Sequence, residues 1–210
     1  MLSWLRRTAA ALWPFGEHLR APDALAGLPR VLLLGPTGAG KSTLVNAVLG
    51  IDSAEARSGA PVTVRTTWHA GPAWPAALGD TRGLETAAGQ AQAVVLRQAL
   101  AALGPGERPD LAWLVLNAET GRAHAGAGTL AALAEALRAE GIPALVVLTH
   151  AEPGEDAHAG LRARIAGVLG PLPVVRVNAR ETRGEDGAVL VPEHGVDVLR
   201  AASDALLPAR

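Results

Sequence analysis

Cysteine is absent from the 210 residues. This excludes disulfides and thiolate metal sites and leaves the redox compartment unread. Excess charge of either sign is also absent: 19 Lys and Arg stand against 20 Asp and Glu, for a net charge of -1. That balance gives no sign of a nucleic-acid-binding patch. Long apolar runs are missing too. The longest, Leu111 to Leu116 and Ile142 to Leu148, fall far short of the roughly 20 residues of a membrane-spanning helix, but suit central strands of a parallel sheet. No secretory leader is expected, because the first apolar stretch is short and Pro14 and Glu17 follow without a clear cleavage site. What the chain does have is apolar mass. Hydrophobic residues make up 49% and charged ones 19%, enough for the core of one domain with an extension.

The most informative stretch is Val31 to Thr43. Val31, Leu32, Leu33 and Leu34 read as a buried strand. Gly35-Pro36-Thr37-Gly38-Ala39-Gly40-Lys41-Ser42 then fits Gly-x-x-x-x-Gly-Lys-Ser, and from Thr43 the chain continues through Leu44 to Leu49 as a helix. This is the strand–loop–helix setting that a phosphate-binding loop requires. Gly35, Gly38 and Gly40 let the backbone curl with its N–H groups turned inward, a nest for phosphate oxygens. The helix beginning near Lys41 brings the positive end of its dipole to the same place. In such a loop the lysine, here Lys41, reaches the β- and γ-phosphates, and the hydroxyl, here Ser42, binds Mg²⁺.

The remaining pattern alternates. Residues 1 to 28 stand apart as an extension, with Leu2, Leu5, Ala9, Leu12 and Trp13 at helical spacing and Arg6 and Arg7 beside them. Flanked by Trp4 and Phe15, this helix is expected either to dock on a partner or membrane surface through residues 1 to 16 or to pack on its own domain. Gly50 is the expected C-cap of the helix after the loop. Val62 to Ala70 and Ala73 to Gly79 read as a hairpin turned at Gly71-Pro72, its first strand an antiparallel edge. Helices are expected over Thr86 to Leu103, Gly128 to Glu140, Asp156 to Leu169 and Val196 to Leu207. Strands are expected over Leu111 to Leu116, Pro143 to Thr149 and Pro173 to Val177, with a small excursion from Gly184 to Pro192. The alternation predicts an α/β fold: a mostly parallel central sheet with helices on both faces, in residues 29 to 210.

Asp80-Thr81-Arg82-Gly83 follows a predicted strand about forty residues after the loop. An aspartate there can hold Mg²⁺ through water, and the Gly83 amide can meet the γ-phosphate. The six histidines show no ligand spacing; His18, His69, His124, His158 and His194 read as isolated surface residues.

Gly-Pro-Thr-Gly-Ala-Gly-Lys-Ser-Thr-Leu-Val-Asn-Ala-Val-Leu-Gly, followed by Asp-Thr-Arg-Gly-Leu-Glu, resembles the bacterial Era-like group of translation-factor-related P-loop GTPases. In particular it is similar to a branch with Gly-x-Pro-Val-Thr in the first switch, matched here by Gly59-Ala60-Pro61-Val62-Thr63. The resemblance covers roughly residues 29 to 207. It implies a three-layer G domain that binds GTP with Mg²⁺, hydrolyses it slowly and acts as a nucleotide-dependent switch. Thr63 is then the switch threonine at Mg²⁺ and the γ-phosphate, with Thr66 and Thr67 as neighbours able to serve instead. Lys41 and Thr63 become the catalytic candidates, and Ser42, Thr63 and Asp80 the metal ligands.

Two features depart from the group's pattern. Its base-recognition box, Asn/Thr-Lys/Gln-x-Asp, is replaced by Thr149-His150-Ala151-Glu152. Glu152 keeps the carboxylate that accepts hydrogen bonds from guanine, with one more methylene, and His150 can stack on the base. Asn178-Ala179 stand where the group has Ser/Asn-Ala, with the Ala179 amide facing guanine O6 and Asn178 ordering the loop. In turnover, Leu84 occupies the place of a water-orienting Gln, and Gly38 that of the Asn which in K⁺-activated relatives holds potassium. Two other readings remain: a P-loop ATPase or kinase, and a scaffold that keeps nucleotide with little turnover. Expected partners are guanine nucleotide, a protein effector or activator, and a nucleotide-dependent second copy. The expected place is the cytoplasm, or its membrane surface through residues 1 to 16.

Overall fold

The computed structural model describes residues 19–52, 65–82, 90–104, 106–119, 123–154 and 157–208, giving the backbone alone for 65, 82, 90, 91 and 123–128. The expected N-terminal helix over Met1 to Trp13, the switch threonine Thr63, and Gly83 and Leu84 lie outside the described residues.

Strand β1 (Arg30–Leu34) lies at the centre of the sheet. Val31 and Leu33 enter one apolar layer, while Leu32 and Leu34 enter the other. A strand buried on both faces has no polar face to show, so its sequence is a continuous apolar run. The same holds for β4 (Leu111–Asn117) and β5 (Ala144–Thr149). Six strands run in the order β2-β3-β1-β4-β5-β6, with β2 (Arg65–Gly71), β3 (Trp74–Arg82) and β6 (Val174–Arg176) completing the sheet. All neighbours are parallel except β2 against β3, the antiparallel edge hairpin that the sequence predicts.

Helices cover both faces. One layer packs α2 (Gln90–Ala101), α3 (Ala123–Ala139) and α4 (Ala159–Leu169) on the sheet through Leu96, Leu100, Leu133, Leu137 and Ile165. The other packs α1 (Lys41–Leu49) and α5 (Val196–Asp204) through Leu44, Val45, Val48 and Leu199. Truncating one of the fully buried leucines, Leu32 or Leu114, would cost about 2–5 kcal/mol. Helix α5 is fastened at two points. The indoles of Trp74 and Trp113 stack 5.8 Å apart and donate to Asp204 and to Ser203 Oγ, each at 3.0 Å. Arg200 donates to the carbonyls of Ala47 and Val48 at the end of α1, where a cation also meets the negative end of the helix dipole. Gly50, left-handed at φ 66°, caps α1 as expected.

Several boundaries differ from expectation. Helix α3 starts at Ala123, five residues before Gly128. Its two early glycines weaken local propensity, and packing of the later turns carries the helix through them. Helix α4 starts at Ala159, because His158 is left-handed (φ 59°) and the helix cannot extend back through it. The excursion after β6 is a two-stranded hairpin, β7 (Thr182–Arg183) with β8 (Val189–Val191). Strand β3 runs on to Arg82, so Asp80 stands inside a strand rather than after one. Leu19 is buried in the same apolar layer as α2, α3 and α4, so the chain is already packed on the domain ten residues before the expected boundary. Among the described residues no helix is long and apolar enough to cross a membrane.

Candidate nucleotide-binding site

The loop from Gly35 to Gly40 leaves β1 at the C-terminal edge of the sheet and enters α1. Gly38 (φ 78°) and Gly40 (φ 80°) take the left-handed conformation that lets the chain curl. Gly35 is required for another reason than the expected curl: a Cβ there would lie 2.2 Å from the Val115 carbonyl oxygen on β4. Pro36, Thr37 and Gly38 are exposed, Ala39 is buried, and Ser42 and Thr43 open the helix half-buried. Lys41 is 7% exposed. Its ammonium folds back over the start of the loop, donating to Gly35 O at 2.8 Å and Pro36 O at 3.0 Å.

Pairing of Leu33 with Asp80 brings β3 alongside the loop. The Ser42 hydroxyl donates to Asp80 Oδ2 at 2.7 Å, and Thr81, next along, donates to Leu33 O at 2.5 Å. Asp80 is 2% exposed, and its second oxygen, Oδ1, is buried with no hydrogen-bond partner among the described residues. A buried carboxylate oxygen left unpaired is costly, and a hydroxyl beside it makes a pair of hard oxygen donors of the kind that Mg²⁺ takes alongside water and phosphate. The described residues contain no group of three or more His, Asp or Glu able to hold a metal by themselves.

The predicted base end lies against the same loop. Thr149, 3% exposed at the end of β5, places its hydroxyl 2.7 Å from Ala39 O and 3.1 Å from Leu116 O. His150 follows in the left-handed conformation (φ 51°), its ring Nδ1 3.2 Å from Thr149 Oγ1. A Cβ on Gly40 would sit 3.1 Å from the His150 ring, so the phosphate loop and the Thr149–His150 segment are in contact. Glu152 is exposed beyond buried Ala151. Asn178 is buried, and its amide donates to Pro192 O at 2.9 Å and to Val191 O at 3.3 Å, tying down the β7–β8 excursion. Ala179 beside it is half-buried.

Two contacts escaped the sequence reading. His158 and His194 are not isolated: each ring bonds the backbone of the Thr149–Glu152 loop. Spacing gave no signal, since the partners lie 6 and 43 residues away.

The 50S ribosome-binding GTPases match residues 30–150, more than half of the chain. The chain belongs to this GTPase family. It is a P-loop GTPase, binding GTP, hydrolysing it and acting as a nucleotide-dependent switch. No curated protein matches it. Among solved structures, Toc33 from Arabidopsis thaliana superimposes with a TM-score of 0.56 at 16% identity, over 85% of this chain and 84% of that one. Era from Aquifex aeolicus, bound to GDP and AlF4-, gives 0.56 at 19% over 86% and 57%. SelB from Methanococcus maripaludis, with a GTP analogue, gives 0.53 at 16% over 87% and 35%. At these identities the likeness establishes the fold, an α/β G domain with a mostly parallel sheet. Toc33 fits as well as Era, so the coarser assignment, a P-loop GTPase, is the one that stands.

Proposed function

We propose that this GTPase is a slow, Mg²⁺-dependent switch of the bacterial Era-like branch, and that one continuous groove holds its nucleotide. In this reading, the loop from Gly35 to Thr43, through backbone N–H groups that Pro36 lacks, and the Lys41 ammonium hold the phosphates, and Glu152, His150 and the Ala179 amide hold the guanine. Ser42 and Asp80 hold the metal with Thr63, and Gly83 meets the γ-phosphate. The division into residues 1–28 and a G domain of 29–210 belongs to the same proposal, with the end of the extension, from Leu19, packed on the G domain. The observation that carries it is the Ser42–Asp80 pair at the mouth of the loop, with Asp80 Oδ1 buried and unpartnered among the described residues. Toc33 is described in complex with Mg²⁺ and GDP or GMPPNP, and Era in complex with MgGDPNP and 16S ribosomal RNA. The metal's contribution, when bound, is to neutralise charge on the phosphoryl oxygens. The chain's own contribution is positioning: a loop curled at Gly38 and Gly40 and a cation held beside it.

Slow turnover follows from Leu84 and Gly38, which supply neither a water-orienting amide nor a potassium ligand. A partner, or a second copy of the chain, is then the source of the missing group. The test is GTP hydrolysis against Mg²⁺ concentration. Wild type alone is expected to turn over well below about 1 s⁻¹ and to saturate with Mg²⁺. Asp80→Ala is expected to need far more metal. A variant with the wild-type metal requirement would remove Asp80 from the site.

A further inference from the structure

The peptide bond between Ala151 and Glu152 is gripped at both ends. His158 Nε2 accepts its N–H, from Glu152, at 3.0 Å. His194 Nε2 lies 2.8 Å from its carbonyl oxygen, on Ala151. In a trans peptide these two groups point in opposite directions, and no cis peptide occurs among the described residues. The two imidazoles therefore close on the peptide from opposite sides and fix its plane. Both come from elements that are themselves anchored. His158 stands at the left-handed entry to α4, where its carbonyl accepts the Arg162 N–H at 2.9 Å. His194 is paired by two backbone bonds to Asn178, each 3.0 Å, and is followed by Gly195. A Cβ on Gly195 would lie 2.0 Å from Arg176 O, so the chain runs hard against β6 there.

We infer that His158 and His194 are positioning residues for base recognition: by fixing the 151–152 peptide plane they set the direction in which Glu152 leaves the backbone. The inference rests on the reading of Glu152 as the guanine acceptor. A rotated peptide would swing its carboxylate away from the base while leaving the phosphate loop untouched. Neither ring needs to touch the nucleotide. The geometry also dictates opposite ring states. His158 must leave Nε2 bare to accept, so its proton is on Nδ1. His194 must carry its proton on Nε2 to donate.

The test is calorimetry of the full chain with GDP and ADP in Mg²⁺, beside single-turnover hydrolysis of bound GTP. His158→Ala and His194→Ala are each expected to weaken GDP about tenfold, the scale of one lost hydrogen bond. ADP affinity and the rate from bound GTP should stay unchanged. His158→Gln and His194→Gln are expected to restore GDP affinity, because an amide can accept at the first position and donate at the second. Equal GDP and ADP affinity in wild type would overturn the base-site reading, and the inference with it. A guanine-selective wild type whose alanine variants keep the full ratio would overturn the positioning role alone. Should a variant fail to fold, ¹H–¹⁵N correlation of the wild-type imidazoles decides. Nδ1–H on His158 with Nε2–H on His194 is expected, and the same tautomer on both would overturn the grip.

Discussion

The two ends of the candidate groove are built in different ways. At the phosphate end, Gly35 to Ser42 is one unbroken segment, with Asp80 brought to it by strand pairing and the Thr149 hydroxyl by a hydrogen bond to Ala39 O. At the base end, Thr149 to Glu152 owes its shape to residues from four other places in the chain: Ala39, His158, Val177 and His194. The first kind of site is specified by backbone conformation, which few residue types permit. The second is specified by side-chain hydrogen bonds, which many sequences can supply. That difference explains why the loop of Gly35 to Ser42 can be read from its own residues while the shape of Thr149 to Glu152 cannot.

The largest effect is expected where backbone meets backbone. Gly35→Ala would press a methyl against the Val115 carbonyl, and no rotamer change relieves a Cβ clash. A loss of about 3 kcal/mol in denaturant unfolding is expected, together with loss of nucleotide binding. Wild-type stability in this variant would mean that β1 and β4 are spaced more loosely than described. Lys41→Ala comes next. It should lower GDP affinity at least about 100-fold, equivalent to about 2.7 kcal/mol, with the circular dichroism spectrum unchanged. Retained affinity would contradict the ammonium's role at the phosphates.

Thr149→Val tests the seam between the two ends. The swap keeps shape and removes the hydroxyl that reaches Ala39 O. About 1–2 kcal/mol of stability should be lost, and GDP and ADP should both bind more weakly, because the phosphate loop itself loses a support. Weakening of GDP alone would place Thr149 with the base end only. The smallest effect serves as a control, away from both ends. Glu107 accepts the Gly104 N–H at 2.9 Å and pairs with Arg20 at 2.9 Å. The backbone bond first, and then the Arg20 charge, hold its carboxyl below the ordinary glutamate range, against some opposing desolvation. A carboxylate lowered in the folded state stabilises above its unfolded pKa, and that contribution is lost as pH falls through the folded one. The melting temperature of wild type should exceed that of Glu107→Gln slightly at neutral pH, and the gap should close on acidification with GDP affinity unaffected. A gap that widens in acid would reverse the assignment.

Legibility in the sequence followed the same divide. Val31 to Leu49 could be read as strand, loop and helix because each local preference agreed with the final structure, and the apolar runs at Leu111 and Pro143 marked central strands for the same reason. The edge hairpin was legible from Gly71-Pro72. Local pattern did not reveal that Gly35 is required by contact with β4 rather than by its own dihedral angles. Nor did it reveal that Thr149 reaches a carbonyl 110 residues away, or that His158 and His194 meet one peptide bond. Such contacts exist only after the sheet has assembled. The early start of α3 and the late start of α4 were missed through glycines that packing overrides and a histidine whose left-handed backbone no propensity announces.

The claim common to both ends is that a base box with glutamate in place of aspartate still selects guanine. Calorimetry of the wild-type chain with GDP and ADP at saturating Mg²⁺ tests it directly. GDP is expected to bind at least about tenfold more tightly, a gap of about 1.4 kcal/mol. Equal affinities would show that the groove holds phosphate alone and would contradict the base end as described.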